Sequence, residues 1–176
     1  AIGLNTPSIT ARTVYAVTYY RDGADASFDG YSTLFSGPGT FGQYRVMGNI
    51  DSANFIGTSN FNDTGTFKNG STVNSFGALP MPASLFVFKS SAARTQVYSL
   101  GYNSQDTSRD WQGAYSEFIF TDGTEDLATQ QMIEGYLAHK WVLQEKLPAA
   151  HPYKNAAPST AVATATLNGT ANDADG

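Results

Sequence analysis

The chain has 176 residues, no cysteine and a formal net charge of −5; only 14% of its residues are charged and 13% are aromatic. Thiolate catalysis, cysteine–zinc sites and disulfides are therefore excluded. The acidic balance, without a Lys/Arg cluster, argues against nucleic-acid binding through a basic patch, and no apolar run approaches the roughly 18 residues of a membrane-spanning helix.

The length suffices for one domain with a real core, and the polar surface must come from Ser, Thr, Asn and Gln, as in many secreted β-domains. The N-terminus shows no basic region followed by an apolar core, so an export signal is expected upstream or already removed.

Residues 1–12 read as a lead-in containing Gly, Pro and Thr. Thr13–Tyr20, TVYAVTYY, is apolar or aromatic on both faces, which predicts a central strand covered on both sides. Arg21–Ser32 is a loop rich in Asp and Gly, followed by a short strand at Thr33–Phe35. Gln43–Asn49 alternates as a strand with one wet face. Lys68-Asn69-Gly70 is a hairpin turn with left-handed residues at Asn-Gly. Further strands are expected at Ser71–Phe76, Ser84–Ser90, Gln96–Asn103 and Ala114–Phe120.

One convincing helix follows, over about 127–144. Asp126 supplies its N-cap. Ile133, Tyr136, Leu137 and Trp141 form one apolar face at helical period, whereas Gln130, Gln131, Glu134 and His139 are expected on a wetter surface. Pro148 cannot continue the helix. Such a helix needs something to cover, and the expectation is a lid over an edge or end of a sheet.

Short strands separated by turns, without βαβ alternation, predict an all-β, antiparallel jelly-roll β-sandwich with one C-terminal amphipathic helix. Two units are expected: residues 1–154 as this domain, and 155–176 as a linker and strand. The tail, ending in Asp173-Ala174-Asp175-Gly176, is open to two readings: a last strand of the same sandwich, or the start of a following repeat.

W-x-G at Trp111 and Gly113, the strand at Tyr115–Phe120, YLAHKW at Tyr136–Trp141, and Leu147-Pro148 with His151-Pro152-Tyr153 resemble the concanavalin A-like lectin/glucanase superfamily in its laminin-G-like bacterial branch. The resemblance covers roughly residues 10–154, and the block from Trp111 to Tyr153 is its most specific part. TLNGTANDADG resembles the start of a cadherin-like or immunoglobulin-like repeat of bacterial surface adhesins. One departure is that family members carry strands upstream of the segment matched by Ala11–Tyr20, where only residues 1–10 precede it here.

The glycosidases of this superfamily carry an ExDxxE strand motif, with carboxylates about 5 Å apart for retention. Here Ile119 stands where the motif has Asp after Glu117, so the pattern is absent. Glu117 reads instead as a carboxylate satisfied at a sheet edge. His139 reads as a solvated helix residue and His151 as a structural element of the proline-rich clasp, since no G-x-S-x-G elbow accompanies them.

Calcium is the expected cofactor, because it takes carboxylate and amide oxygens held on loops. Its candidate ligands are Asp25 and Asp29, in a loop with Asp22, and Asp106 and Asp110, in a loop with Asn103. Asp173 and Asp175 would form a second site with a following domain.

Sugar binding, the common use of this fold in the family, needs aromatic faces beside fixed polar groups. Asn60, Asn62, Asp63, Tyr102 and Asn103 are the candidate ligand-binding residues, near loop aromatics such as Phe28, Tyr31, Phe41, Phe55 and Phe61, while Trp111 and Trp141 are assigned to packing.

The expected function is a non-catalytic, glycan-binding module of a bacterial extracellular adhesin or surface protein, with a cell-surface protein or peptide as second choice of ligand. The alternatives are an assembly module of a virion, filament or cell-surface layer that pairs by exchanging the C-terminal strand, and a divergent glycoside hydrolase.

Overall fold

The computed structural model describes residues 4–20, 31–38, 44–49, 61, 63–103 and 109–159. The expected tail strand and the acidic pair Asp173 and Asp175 lie outside them. The described chain is mostly antiparallel β-sheet with one helix. The strands are β1 (Leu4–Tyr20), β2 (Thr33–Ser36), β3 (Val46–Met47), β4 (Gly65–Lys68), β5 (Ser71–Thr72), β6 (Ser84–Leu100) and β7 (Gly113–Thr121), and the helix is α1 (Leu127–Lys140). No helix among the described residues is long and apolar enough to cross a membrane.

The sheet is built around β1. It pairs antiparallel with β6 on one side and β7 on the other, as its two apolar faces require. The strand order is β3-β2-β6-β1-β7. On the outer side of β6, β4 pairs with its first half and β2 with its last residues. Asn69 and Gly70 turn the β4–β5 hairpin at φ 50° and 80°, the left-handed pair expected of Asn-Gly.

Alternation along β1 divides the interior in two. Val14 and Ala16 face one side with Phe86 and Phe88 of β6, while Tyr15 and Val17 face the other with Leu85 and Val87. The first side holds the aromatic core. In a flat sheet three strand spacings, about 14 Å, would separate β2 from β7. Yet the Phe35 ring of β2 lies 6.3 Å from the rings of Phe118 and Phe120, so the sheet curls around this core. Register shifts between Asn5 and Ser8 and between Ala11 and Thr13 sit within β1, where bulges admit the bend. The W-x-G motif closes the core at one end: the Trp111 indole N–H donates to the Tyr19 carbonyl at 3.1 Å. A Cβ at Gly113 would stand 2.0 Å from that same oxygen.

Several sequence expectations need correction. The lead-in is part of β1, which begins at Leu4. The strands expected at Ser84–Ser90 and Gln96–Asn103 are one strand, β6. Its middle turns polar side chains inward, such as Arg94, whose guanidinium stacks 4.2 Å from the Tyr44 ring, so the apolar alternation is lost there. The wet-faced strand at Gln43–Asn49 reduces to Val46–Met47, and that at Ser71–Phe76 to Ser71–Thr72.

Asp126 caps α1 as expected, its carboxylate accepting from the Thr129 amide at 2.7 Å. The helix stops at Lys140 rather than near 144. It covers a face of the sheet rather than an edge: Leu137 and Ala138 pack with Tyr15, Val17, Leu85 and Val87. Leu143 and Leu147, beyond the helix, fill the same layer. Gln130 and Glu134 are buried, while Tyr136 and Trp141 are exposed, the reverse of the hydropathy pattern.

Candidate functional site

Of the expected ligand and metal residues, Asp63, Tyr102, Asn103 and Asp110 are described. Asn60, Asn62, Asp25, Asp29 and Asp106 lie outside the described residues, as do Phe28, Phe41 and Phe55. Asp63 accepts from the Ser91 amide at 2.8 Å and the Ser91 hydroxyl at 2.5 Å, tying the approach to β4 onto the middle of β6. Burial pushes its carboxyl up, but the Ser91 hydrogen bonds together outweigh that and hold its pKa below the ordinary value.

Tyr102 lies beyond the far end of β6, which ends at Leu100. Its hydroxyl donates to Asn5 Oδ1 at 2.7 Å. Asn103 and Phe61 are wholly buried. Asp110 bridges to Thr33. Among the described residues no three His, Asp or Glu side chains cluster as a metal site would need.

The two histidines fasten the clasp. His151 Nδ1 accepts from the Tyr153 amide at 3.2 Å, so its proton is on Nε2, which faces Glu134 Oε2 at 3.2 Å. Glu134 Oε1 accepts from Gln130 Nε2 at 3.0 Å. Both partners of the pair are almost fully buried. Each imidazole nitrogen is engaged, so neither is directed at a nucleophile. His139 is not merely solvated, since its Nε2 bonds the Tyr153 carbonyl at 2.9 Å. Pairing explains how Gln130 and Glu134 occupy the core face: buried polar groups are tolerated once hydrogen-bonded.

A different group of side chains is presented outward where α1 ends. Tyr136 is 45% exposed, Trp141 37% and Val142 78%. Lys140 lies between the two rings, its Nζ 5.3 Å from the Tyr136 centroid and 5.8 Å from that of Trp141. It donates to the Tyr136 hydroxyl and to Glu117 Oε1, each at 3.0 Å. The Tyr136 hydroxyl, and then Glu117, hold the Lys140 pKa above its ordinary value. The Trp141 indole N–H donates to Glu117 Oε2 at 2.7 Å.

Glu117 is thus the satisfied edge-strand carboxylate that the sequence suggested, and it fixes the orientation of the indole. Among the described residues β7 pairs only with β1, so this group stands at the sheet margin. The surface combines two part-exposed rings with one cation and one anion that neutralise each other. Sequence reasoning passed over it because Trp141 falls on the helical apolar period. The available signal was the run Tyr136, Lys140, Trp141, with a cation set between two aromatics.

Comparison with family models, with curated proteins and with solved structures gives no match.

Proposed function

We propose that this chain is a non-catalytic binding module for neutral glycans, working outside the cell as part of a bacterial adhesin or surface protein. On this reading the curled sheet and α1 belong to a concanavalin A-like jelly-roll sandwich, in keeping with the resemblance carried by the block from Trp111 to Tyr153.

The observation that carries the proposal is the surface of Tyr136 and Trp141 held by Glu117 and Lys140. Apolar sugar faces stack on aromatic rings, and neighbouring fixed polar groups bond hydroxyls. Because Glu117 and Lys140 offset each other, the platform carries no excess charge to recruit an anionic or cationic polymer. A calcium ion on Asp106 and Asp110, or on Asp25 and Asp29, belongs to the same proposal and rests on loop composition alone.

The test is binding to an array of neutral and charged oligosaccharides, followed by titration calorimetry on those retained. The expected result is retention of neutral glycans by the wild type and its loss in Trp141→Ala. Retention of charged glycans alone, or full retention by Trp141→Ala, would remove the basis of the proposal.

A further inference from the structure

The end of α1 holds a backbone strain at an exposed residue. Trp141 is the C-cap, and two bonds close the helix beyond it: Leu143 N–H to the Ala138 carbonyl at 2.7 Å, and Val142 N–H to the His139 carbonyl at 3.5 Å. This double closure needs a left-handed residue at the position between, where glycine is usual and asparagine second. Here that residue is Val142, at φ 57°. A β-branched side chain is among the least suited to this region, because its Cβ substituents crowd the backbone.

Burial does not compensate, since Val142 is 78% exposed. The neighbour that does the packing is Leu143, which joins the layer beneath the helix. The turn would form more readily with glycine, so the isopropyl group has no role in the fold to offset its strain. Strain of this kind, held at an exposed position beside a candidate site, points outward to function.

We propose that Val142 is a ligand-contacting residue, its isopropyl group extending the apolar surface of Trp141 so that the glycan meets an aromatic face and an aliphatic wall side by side. This rests on the reading of the Tyr136–Trp141 surface as a glycan platform. The wall would act on the apolar C–H face of a neutral sugar ring, since Val142 offers no hydrogen bond. It is specificity-determining in that a bulky or charged substituent at that place on the sugar would clash with it or lose its solvation.

The test uses Val142→Gly, Val142→Ala and Trp141→Ala in the full chain, with two readouts. Melting temperature reports on the fold. Titration calorimetry reports on binding of cellohexaose, maltohexaose, xylohexaose, mannohexaose and chitohexaose.

Val142→Gly is expected to melt about 2 °C higher, as the left-handed strain is relieved, and to bind about tenfold more weakly, as an apolar contact is lost. Val142→Ala is expected to bind more weakly with a smaller gain in melting temperature, because its Cβ keeps part of the strain.

Val142→Gly binding within about twofold of wild type, while Trp141→Ala abolishes binding, would overturn the role of Val142 and leave the platform standing. A lower melting temperature in Val142→Gly would also overturn it, by showing that the side chain supports the fold. Absence of binding of all five hexasaccharides to the wild type would bring down the platform reading, and this inference with it.

Discussion

Replacing His151 by alanine tests whether the buried pair, rather than the apolar contacts of the helix, locks the chain end onto the sheet. Glu134 and His151 are 1% and 2% exposed at their side chains. With the imidazole gone, the Glu134 carboxylate keeps Gln130 Nε2 at 3.0 Å, and the Tyr153 amide loses its acceptor. Breaking a buried pair by removing one member costs about 3–5 kcal/mol. In a domain of this size that corresponds to a fall of about 6–20 °C in melting temperature.

Removing both members is far milder, because no uncompensated charge is left behind. Glu134→Leu/His151→Leu should therefore recover at least half of what His151→Ala loses. Urea denaturation and thermal melts of wild type, Glu134→Leu, His151→Leu and the Glu134→Leu/His151→Leu double variant complete the cycle. A loss below about 1 kcal/mol in His151→Ala, or a double variant no more stable than the single, would refute the assignment.

Trp141→Ala is expected to cost only about 1–2 kcal/mol, since the indole is part-exposed and contributes mainly its bond to Glu117; a loss above about 3 kcal/mol in a urea melt would show a buried role instead. Tyr15→Phe should stabilise by about 1 kcal/mol, because the Tyr15 hydroxyl is buried with no hydrogen-bond partner among the described residues and burial, then Glu125 and Glu134, push its pKa up; a lower melting temperature would count against this. Asp63→Ala should cost about 1 kcal/mol at neutral pH, a figure discounted for exposure. The folded-state pKa of Asp63 is depressed, so that contribution is present above the unfolded value and is lost as pH falls through the folded one. Urea midpoints of Asp63→Ala and wild type should therefore converge on acidification, and a gap that widens would contradict the sign. Calcium is expected to raise the melting temperature relative to an EGTA-treated sample; no shift and no binding heat at millimolar calcium would leave the loop aspartates without that role.

The features legible in the sequence were those whose cause is local. Thr13–Tyr20 is apolar on both faces and lies between two strands; Asp126 caps by a bond three residues away; Asn69-Gly70 turns a hairpin by its own dihedral preference. The misplaced features depend on partners distant in sequence. Glu134 looked wet because the histidine that satisfies it is 17 residues on. The middle of β6 looked like a loop because its partner, the Thr-containing start of β1, looked like a lead-in, and neither segment shows its pairing alone. Trp141 matched the helical period, but its φ of −106° and ψ of 13° leave helical geometry. Val142 carries no sequence signal at all, since a left-handed valine runs against the statistics that would be used to find it.

The order of the sheet also sets an order in time. The strand at its centre precedes both of its neighbours in the chain, and the hydrogen bond from Arg12 to the Ser91 carbonyl joins residues 79 apart. At ribosomal rates of about 5–20 residues per second, β1 waits roughly 4–16 s for its principal partner to emerge. Through that interval a strand apolar on both faces has neither neighbour, the state in which nascent chains associate with one another or with chaperones. Substitutions in β6 that delay its docking should therefore lower the yield of soluble protein before they measurably lower its melting temperature.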